Sequence, residues 1–162
     1  MAKREKVKDQ LVIDDARILF RNFAGKEKQF NPKGKRNFCV ILPDEIVDKL
    51  IDDGWNVRFL KPREEGESPV AYMQVSVSFD NFPPKIWMIT GNGKVKLDEE
   101  SVDVLDYAEI ESVDLSINPY NWEGSITPKG YGVKAYLNKM YVTLREDEFE
   151  SKYYDIPDIT NG

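Results

Sequence analysis

The stretch from Val70 to Phe79 reads Val-Ala-Tyr-Met-Gln-Val-Ser-Val-Ser-Phe, and its residues alternate between apolar and polar types. Successive side chains of a β-strand point to opposite faces of the sheet. The odd positions from 71 to 79 would therefore face a core, and the even positions from 72 to 78 would face water. Such alternation is typical of a strand in an antiparallel sheet with one buried face.

Strand signals of the same kind recur on both sides of this stretch. We predict further strands at 16–23, 36–42, 55–60, 86–90, 94–97, 109–119 and 133–144, with a bulge near Asn138. In the first of these, Ala16, Ile18 and Phe20 would share the inner face. About seven sequential strands separated by turns favour a barrel or a sandwich over a parallel α/β sheet.

Helices are expected to be few. The apolar residues of 43–53 repeat with a helical period, and Gly54 suits the position after a helix end. The acids that begin at Asp98 predict a second, short helix before Leu105. We expect loops at 24–35, 61–69 and 120–132, which gives a mainly β fold with one to three short helices.

Scarce residue types exclude several kinds of site. The 162 residues include no histidine and one cysteine, Cys39. A Cys/His zinc site and a histidine-dependent catalytic triad are therefore excluded. The acidic groups at 14–15, 52–53 and 98–100 are interpreted as helix caps and solvated surface. We expect no catalysis, no metal and no cofactor, and an enzyme with carboxylate-bound Mg²⁺ is the weakest alternative.

Length and hydropathy predict one domain in the cytoplasm. A chain of 162 residues is about one domain. No run of about 18 apolar residues offers a membrane span, and the charged start from Met1 to Lys6 is not followed by the apolar segment of a signal peptide. We therefore expect no membrane contact.

The charge is unevenly distributed along the chain. Residues 1–40 hold 11 Lys/Arg against 5 Asp/Glu, whereas residues 41–162 hold 12 against 24. The net charge of −6 therefore hides a basic region. This region could bind phosphates, or it could be a solvated basic terminus on an acidic protein.

Basic residues alternate with aromatic residues at positions that we expect to be exposed. A binder of single-stranded nucleic acid needs cations for phosphates and flat rings on which unpaired bases stack. Many such rings only close a barrel, and Trp55 and Trp87 are expected in the core. The candidate DNA-binding residues are Arg17, Arg21, Phe23, Lys28, Lys33, Lys35, Arg36, Arg58, Tyr72, Tyr120, Trp122, Lys134 and Tyr136.

Six sequence blocks between residues 12 and 150 add a further pattern. They are Phe20-Arg21-Asn22-Phe23 and the stretches 36–42, 53–58, 77–85, 106–110 and 133–137. In this order they resemble a family of phage single-stranded DNA-binding proteins. The resemblance implies an elaborated OB-fold-like barrel, where OB stands for oligonucleotide/oligosaccharide-binding, and an acidic C-terminal tail.

The resemblance also implies a function and partners. We expect a sequence-independent binder of single-stranded DNA that acts in phage replication and recombination, in the host cell cytoplasm. An acidic tail at 146–162 would recruit phage or host replication and recombination proteins, and a homodimer is left open. The alternative is a protein-interaction module, such as a virion or host-takeover factor, that does not bind nucleic acid.

The expected organisation has three parts. Residues 1–10 form a flexible basic N-terminus, residues 11–145 an OB-like domain, and residues 146–162 the acidic tail. That tail is either disordered and able to compete with DNA, or a final helix in which Phe149, Tyr153 and Tyr154 pack on the barrel. It departs from related tails because it ends in Ile159-Thr160-Asn161-Gly162 rather than in an apolar tip.

Overall fold

The computed structural model describes residues 5–80, 82–124 and 128–146. Within these ranges the chain forms nine β-strands, one α-helix and one 3₁₀ helix. The strands are β1 (Leu11–Ala16), β2 (Ile18–Asn22), β3 (Arg36–Ile41), β4 (Val57–Leu60), β5 (Val70–Val77), β6 (Lys85–Thr90), β7 (Gly93–Leu97), β8 (Ile110–Glu123) and β9 (Tyr131–Leu144). The α-helix α1 is Asp44–Asp53, and the 3₁₀ helix is Val102–Asp106.

The main sheet follows the order β1-β8-β9-β5-β3-β2. Its two outermost strands are consecutive in the chain, since Arg17 alone separates the end of β1 from the start of β2. The carbonyl of Arg17 accepts a hydrogen bond from the amide of Ile41 at 3.0 Å. One bent segment thus pairs with β8 at one end and with β3 at the other, and the sheet returns to its start as in an OB-like fold.

The bent segment contains two unusual backbone positions. Asp15 and Phe20 have φ of 50° and 51°, in the left-handed region that non-glycine residues seldom adopt. The pairing of β2 with β3 also shifts register between Leu19 and Asn22. The alternation expected over 16–23 is therefore wrong after Leu19, because Phe20 is 62% exposed and Asn22 and Phe23 are buried.

A single hydrophobic core lies inside the sheet. The odd positions 71, 73, 75 and 77 of β5 are buried, which confirms the alternation of that strand. Helix α1 adds Val47 and Leu50 to the same core and ends at Gly54, whose φ of 100° closes the helix as expected. The mainly β fold class is confirmed.

The hairpin of β8 and β9 is longer than the sequence patterns predicted. The two strands pair as far as Glu123 opposite Tyr131, so both ends of the expected loop at 120–132, residues 120–123 and 131–132, are strand. Aromatic residues favour strands. Pro119 and the neighbouring asparagines interrupt the apolar/polar alternation by which a strand is recognised in the sequence. The bulge is confirmed: Ser116 pairs with Lys139 and Ile117 with Leu137, which leaves Asn138 as the extra residue.

A second hairpin extends the sheet beside β9. Strands β6 and β7 pair across the turn at Gly91-Asn92-Gly93, as predicted, and β6 runs parallel to the C-terminal half of β9. After β7, the Asp98 carboxylate accepts hydrogen bonds from the Ser101 hydroxyl and amide. The Ser101 hydroxyl bond is the main cause that lowers the Asp98 pKa. These bonds hold the turn before the 3₁₀ helix, but the N-cap of that helix is Ser101 and not Asp98.

The described part of the N-terminal segment lies against β8. The amide of Val7 donates to the Asn121 side-chain oxygen at 3.0 Å, and the Asn121 amide group donates back to the Val7 carbonyl at 2.8 Å. This contact was not foreseen when a flexible segment was predicted over residues 1–10. Among the described residues, no helix is long and apolar enough to cross a membrane.

We predict that Asp106→Ala lowers the thermal midpoint by several degrees. The Asp106 carboxylate accepts hydrogen bonds from the Phe23 amide at 2.6 Å and from the Ala24 amide at 3.0 Å. Its loss leaves both donors without this partner, at about 1–3 kcal/mol of unfolding free energy. Asp103→Ala, an exposed acid of the same 3₁₀ helix, is the control, and equal melting of the two variants would contradict this role.

Candidate nucleic-acid interface

The outer face of the sheet, turned away from the core, carries a continuous groove. One part of about 610 Å³ lies between the β8–β9 hairpin and the end of α1 and includes Trp122. A second part of about 400 Å³ passes the start of β3 and includes Lys35. We call the joined space the outer groove, because both parts are lined by Gln74, Ser76 and Lys134.

The floor of the outer groove is the water-facing side of β5. Gln74 lies opposite Cys39 of β3, and Ser76 lies opposite Asn37. Burial raises the pKa of the Cys39 thiol to about 11, against a smaller opposing effect of Arg58. The thiol therefore stays protonated at neutral pH and is a poor nucleophile. The floor offers short polar side chains and no reactive group among these residues.

One wall of the groove carries Lys134 and Tyr136, and a second tyrosine, Tyr120, lies beside them. Tyr120 lies opposite Lys134 in the β8–β9 register. The rings of Tyr120 and Tyr136 meet edge to face with their centroids 6.0 Å apart, and the Lys134 Nζ atom lies 4.9 Å from the centroid of the Tyr136 ring. A cation and two rings are thus held on one surface, which is the combination that unpaired nucleotides require.

Trp122 lies across the backbone of the neighbouring strand. It is opposite Gly132 in the register, and a Cβ atom at Gly132 would lie only 2.3 Å from the Trp122 Cζ2 atom. Glycine at 132 is therefore required for the indole to lie this close to β9. The ring is half-buried and lines the larger part of the groove.

The start of β3 forms one end of the groove. The Arg36 guanidinium donates to the Phe23 carbonyl and lies 5.6 Å from the centroid of the Phe79 ring. Lys35 lines the same end and is exposed. Asp80 and Glu99 also line it, so the positive charge there is partly offset.

Further along the outer face, Tyr72 continues the row of β5 residues. Its ring meets the ring of Phe20 edge to face at 6.1 Å, and Arg58 of β4 lies opposite it in the register. Arg17 and Arg58 are both exposed. The left-handed backbone at Phe20, described above, is what places that ring on the outer face.

Two of the predicted binding residues have structural positions. Phe23 is fully buried and stacks on Phe38 with centroids 5.2 Å apart, so it cannot receive a base. The Arg21 guanidinium donates to the carbonyls of Leu105 and Ala108 at 2.8 and 2.7 Å and ties β2 to the 3₁₀ helix region. The prediction for Phe23 failed because the phase of β2 changes at Phe20, whereas DNA contact by the half-buried Arg21 stays a prediction.

The loop before β3 carries the remaining predicted cations. Lys28 and Lys33 are exposed, and the Lys28 backbone pairs with Asn31 in a short bridge. In the same loop, a hydrogen bond from the Lys26 Nζ atom to the Tyr107 hydroxyl raises the pKa of Lys26. Lys26 faces Tyr107 and lines neither part of the groove.

Several groove residues were missed by the sequence reasoning. Gln74 and Ser76 share the polar face of β5 with Tyr72, so their positions followed from the alternation although they were not selected. Lys129 and Tyr131 were placed in the expected loop at 120–132 and were not selected as candidates. Both line the larger part of the groove. Only the unforeseen length of the β8–β9 hairpin brings them to the site.

The fold is similar to that of solved phage proteins. The single-stranded DNA-binding protein from bacteriophage Enc34 matches with a TM-score of 0.52 and 13% identity over 93% of this chain and 97% of that chain. The same protein in complex with single-stranded DNA matches with a TM-score of 0.55 and 12% identity over 90% of this chain and 96% of that chain. At such identities the likeness shows a shared fold.

Comparison at the sequence level gives the family. Among curated proteins, no sequence matches this chain. The family model of the phage ssDNA-binding domain matches residues 1–162, which is the whole chain. The match confirms the resemblance carried by the six sequence blocks, and the family is described by DNA binding rather than by a reaction. The chain therefore belongs to the family of phage single-stranded DNA-binding domains.

Proposed function

We propose that the outer groove holds single-stranded DNA, without regard to base sequence, during phage DNA replication and recombination. The observation that carries this proposal is that Trp122, Lys134 and Tyr136 line one groove, with the Tyr120 ring against the ring of Tyr136. Sequence reasoning had selected these four residues for their chemistry while placing two of them in a loop. Their convergence on a shared face supports a common ligand.

The chemistry of the groove suits any base sequence. Stacking on tyrosine and indole rings uses the flat face that every base has. Lys35, Lys134 and Arg58 would neutralise phosphates, which are the same at every nucleotide. The short polar groups of Gln74 and Ser76 would leave room for the strand on the floor of the groove. Binding would protect the strand by covering its bases.

Duplex DNA fits this surface poorly. Proteins that recognise duplex DNA generally insert a helix or a β-ribbon into the major groove. Helix α1, the one α-helix in the described ranges, carries five acids against Lys49 and buries its apolar side in the core. Its negative charge would repel phosphates. Bases in a duplex are already paired and stacked on one another, so they cannot stack on the aromatic rings of the groove.

The protein-interaction alternative uses the same exposed rings. This alternative does not account for the lysines around the groove, because lysine is depleted at protein interfaces. We propose that contacts with phage or host replication and recombination proteins belong instead to residues 146–162, of which all but Glu146 lie outside the described residues. A homodimer remains compatible with this arrangement.

We predict that the chain binds oligo-dT far more tightly than a blunt duplex of equal length, as measured by fluorescence anisotropy. Tyr136→Ala should weaken oligo-dT binding by about 1–3 kcal/mol, because one stacking ring is lost. Phe59→Ala is the control, since Phe59 is exposed and pairs with Ala71, on the opposite face of the sheet from Tyr72. Similar affinities for duplex and single strand would contradict the proposal.

A second prediction concerns Gly132. Gly132→Ala places a methyl group where Trp122 lies, so the indole must leave its position and its emission maximum should shift. We expect weaker oligo-dT binding with little change in the circular dichroism spectrum. Gly124→Ala, in open space in the same hairpin, should keep both the emission maximum and the affinity. If both variants bound as the wild type does, Trp122 would have no part in binding.

A third prediction concerns the acidic tail. Deletion from about Ser151 should leave the fold intact and tighten oligo-dT binding at low salt, because negative charge near a cationic groove weakens its field. The truncated chain should also lose contact with a replication or recombination partner. A drop of several degrees in the thermal midpoint would instead favour the alternative in which Phe149, Tyr153 and Tyr154 pack on the barrel.

A further inference from the structure

The β6–β7 hairpin presents a second basic and aromatic surface. Trp87 was expected in the core, but it lies opposite Lys96 on the outer face and is half-buried, so that expectation is wrong. The inward positions of β6 are taken by Ile86 and Met88. The phase of this short strand could not be read from the sequence because Ile86, Trp87, Met88 and Ile89 are all apolar.

The lysines of this surface lie over its rings. The Lys94 Nζ atom is 4.9 Å from the centroid of the Trp87 ring, and the Lys139 Nζ atom is 5.6 Å from the centroid of the Tyr141 ring. Trp87 and Tyr141 are themselves neighbours in the β6–β9 register, as Lys85 and Lys139 are. We call this group the hairpin surface, and its members are Lys85, Trp87, Lys94, Lys96, Lys139 and Tyr141.

The charge of the hairpin surface is largely unopposed. In the described parts of the chain, the one ion pair joins Lys49 to Asp53 on α1, so no described acid pairs directly with the four lysines. Asp14 and Asp114 lie beside Lys139 and Tyr141 at one edge. The positive charge is therefore concentrated at Lys85, Lys94 and Lys96, while the Glu146 carboxylate lies against Gly91 at the turn of the hairpin.

The hairpin surface continues the outer groove along β9. Tyr136 of the groove and Tyr141 of the hairpin surface are on the same strand and the same outer face, on either side of the Asn138 bulge. At about 3.3 Å per residue, they are roughly 15 Å apart. The surface between them is polar, since Asn138 exchanges hydrogen bonds with Asn118 and Ser116. No buried or apolar barrier separates the two regions on β9.

We propose that the hairpin surface is a second contact for single-stranded DNA, which takes the phosphates and bases of the strand as it leaves the outer groove. Four cations beside two rings repeat the chemistry of the groove itself, and the shared strand β9 provides a path. A protein partner would have to bury four lysines that form no ion pair with a described acid of this chain. This inference rests on the proposed function of the groove and extends the length of DNA that one chain contacts.

The test compares a short and a long oligo-dT over a range of salt concentrations. A short strand of about 6 nucleotides should occupy the outer groove, and a strand of about 30 nucleotides should also reach the hairpin surface. For the double variant Lys94→Gln/Lys96→Gln, the slope of log affinity against log salt on the long strand should be less steep by about 1.4, or about 0.7 for each lost phosphate contact. Its affinity for the short strand should match the wild type.

The control removes the same charge elsewhere. Lys6→Gln/Lys49→Gln changes two exposed lysines that line a separate cavity between the N-terminal segment and α1. An equal fall in slope in this control, or an unchanged slope in the hairpin variant, would overturn the inference. If the wild-type chain bound neither strand, the proposed function would fail with it, whereas normal binding of the short strand alone would leave the groove proposal intact.

Tryptophan emission provides a second readout. Trp55 is 5% exposed but lines the larger part of the outer groove, so in a Trp122→Phe variant the contact with Trp87 is measured as the quenching that the long strand adds to that of the short strand. At saturating concentrations the long strand should quench the emission more than the short strand does. Equal quenching by both strands, or none by the long strand, would show that Trp87 does not meet the DNA beyond the groove.

Discussion

The architecture depends on a single bent segment at the start of the domain. Because Arg17 alone separates β1 from β2, one continuous piece of chain pairs with β8 on one side and with β3 on the other. The bend requires left-handed backbone at Asp15 and Phe20, which costs conformational energy at residues other than glycine. The shared core and the Asp106 hydrogen bonds offset that cost.

Most strands could be predicted because their alternation is governed by burial on one side. Strand β5 has a buried and a water-facing side over its whole length, so period-two reading located it and its faces. The same reading failed where backbone conformation breaks the period. Neither the left-handed turn at Phe20 nor the extension of the β8–β9 hairpin past Pro119 has a distinct composition, and both depend on strand pairing that is distant in sequence.

The candidate site could be predicted at the level of chemistry and only partly at the level of position. Tyr72, Tyr136 and Lys134 followed from alternation along β5 and β9, and the structure places them on the outer face. Phe23 was misplaced by the phase change, and Trp87 by an apolar run that is compatible with either face. Gly132 shows a further limit, because its role depends on a ring ten positions earlier in the chain that only strand pairing brings near.

The bent segment also has a consequence for how the chain reaches this structure. Its pairing with β8 joins residues that are 97 to 106 positions apart, as between Ala16 and Val113 or Leu11 and Ile117. Such distant pairings are slow to form. During synthesis, β1 has no partner until β8 has emerged from the ribosome, so for most of translation its backbone donors and acceptors stay unpaired. The negative charges of Asp14 and Asp15 disfavour pairing of the unpaired β1 with another nascent chain.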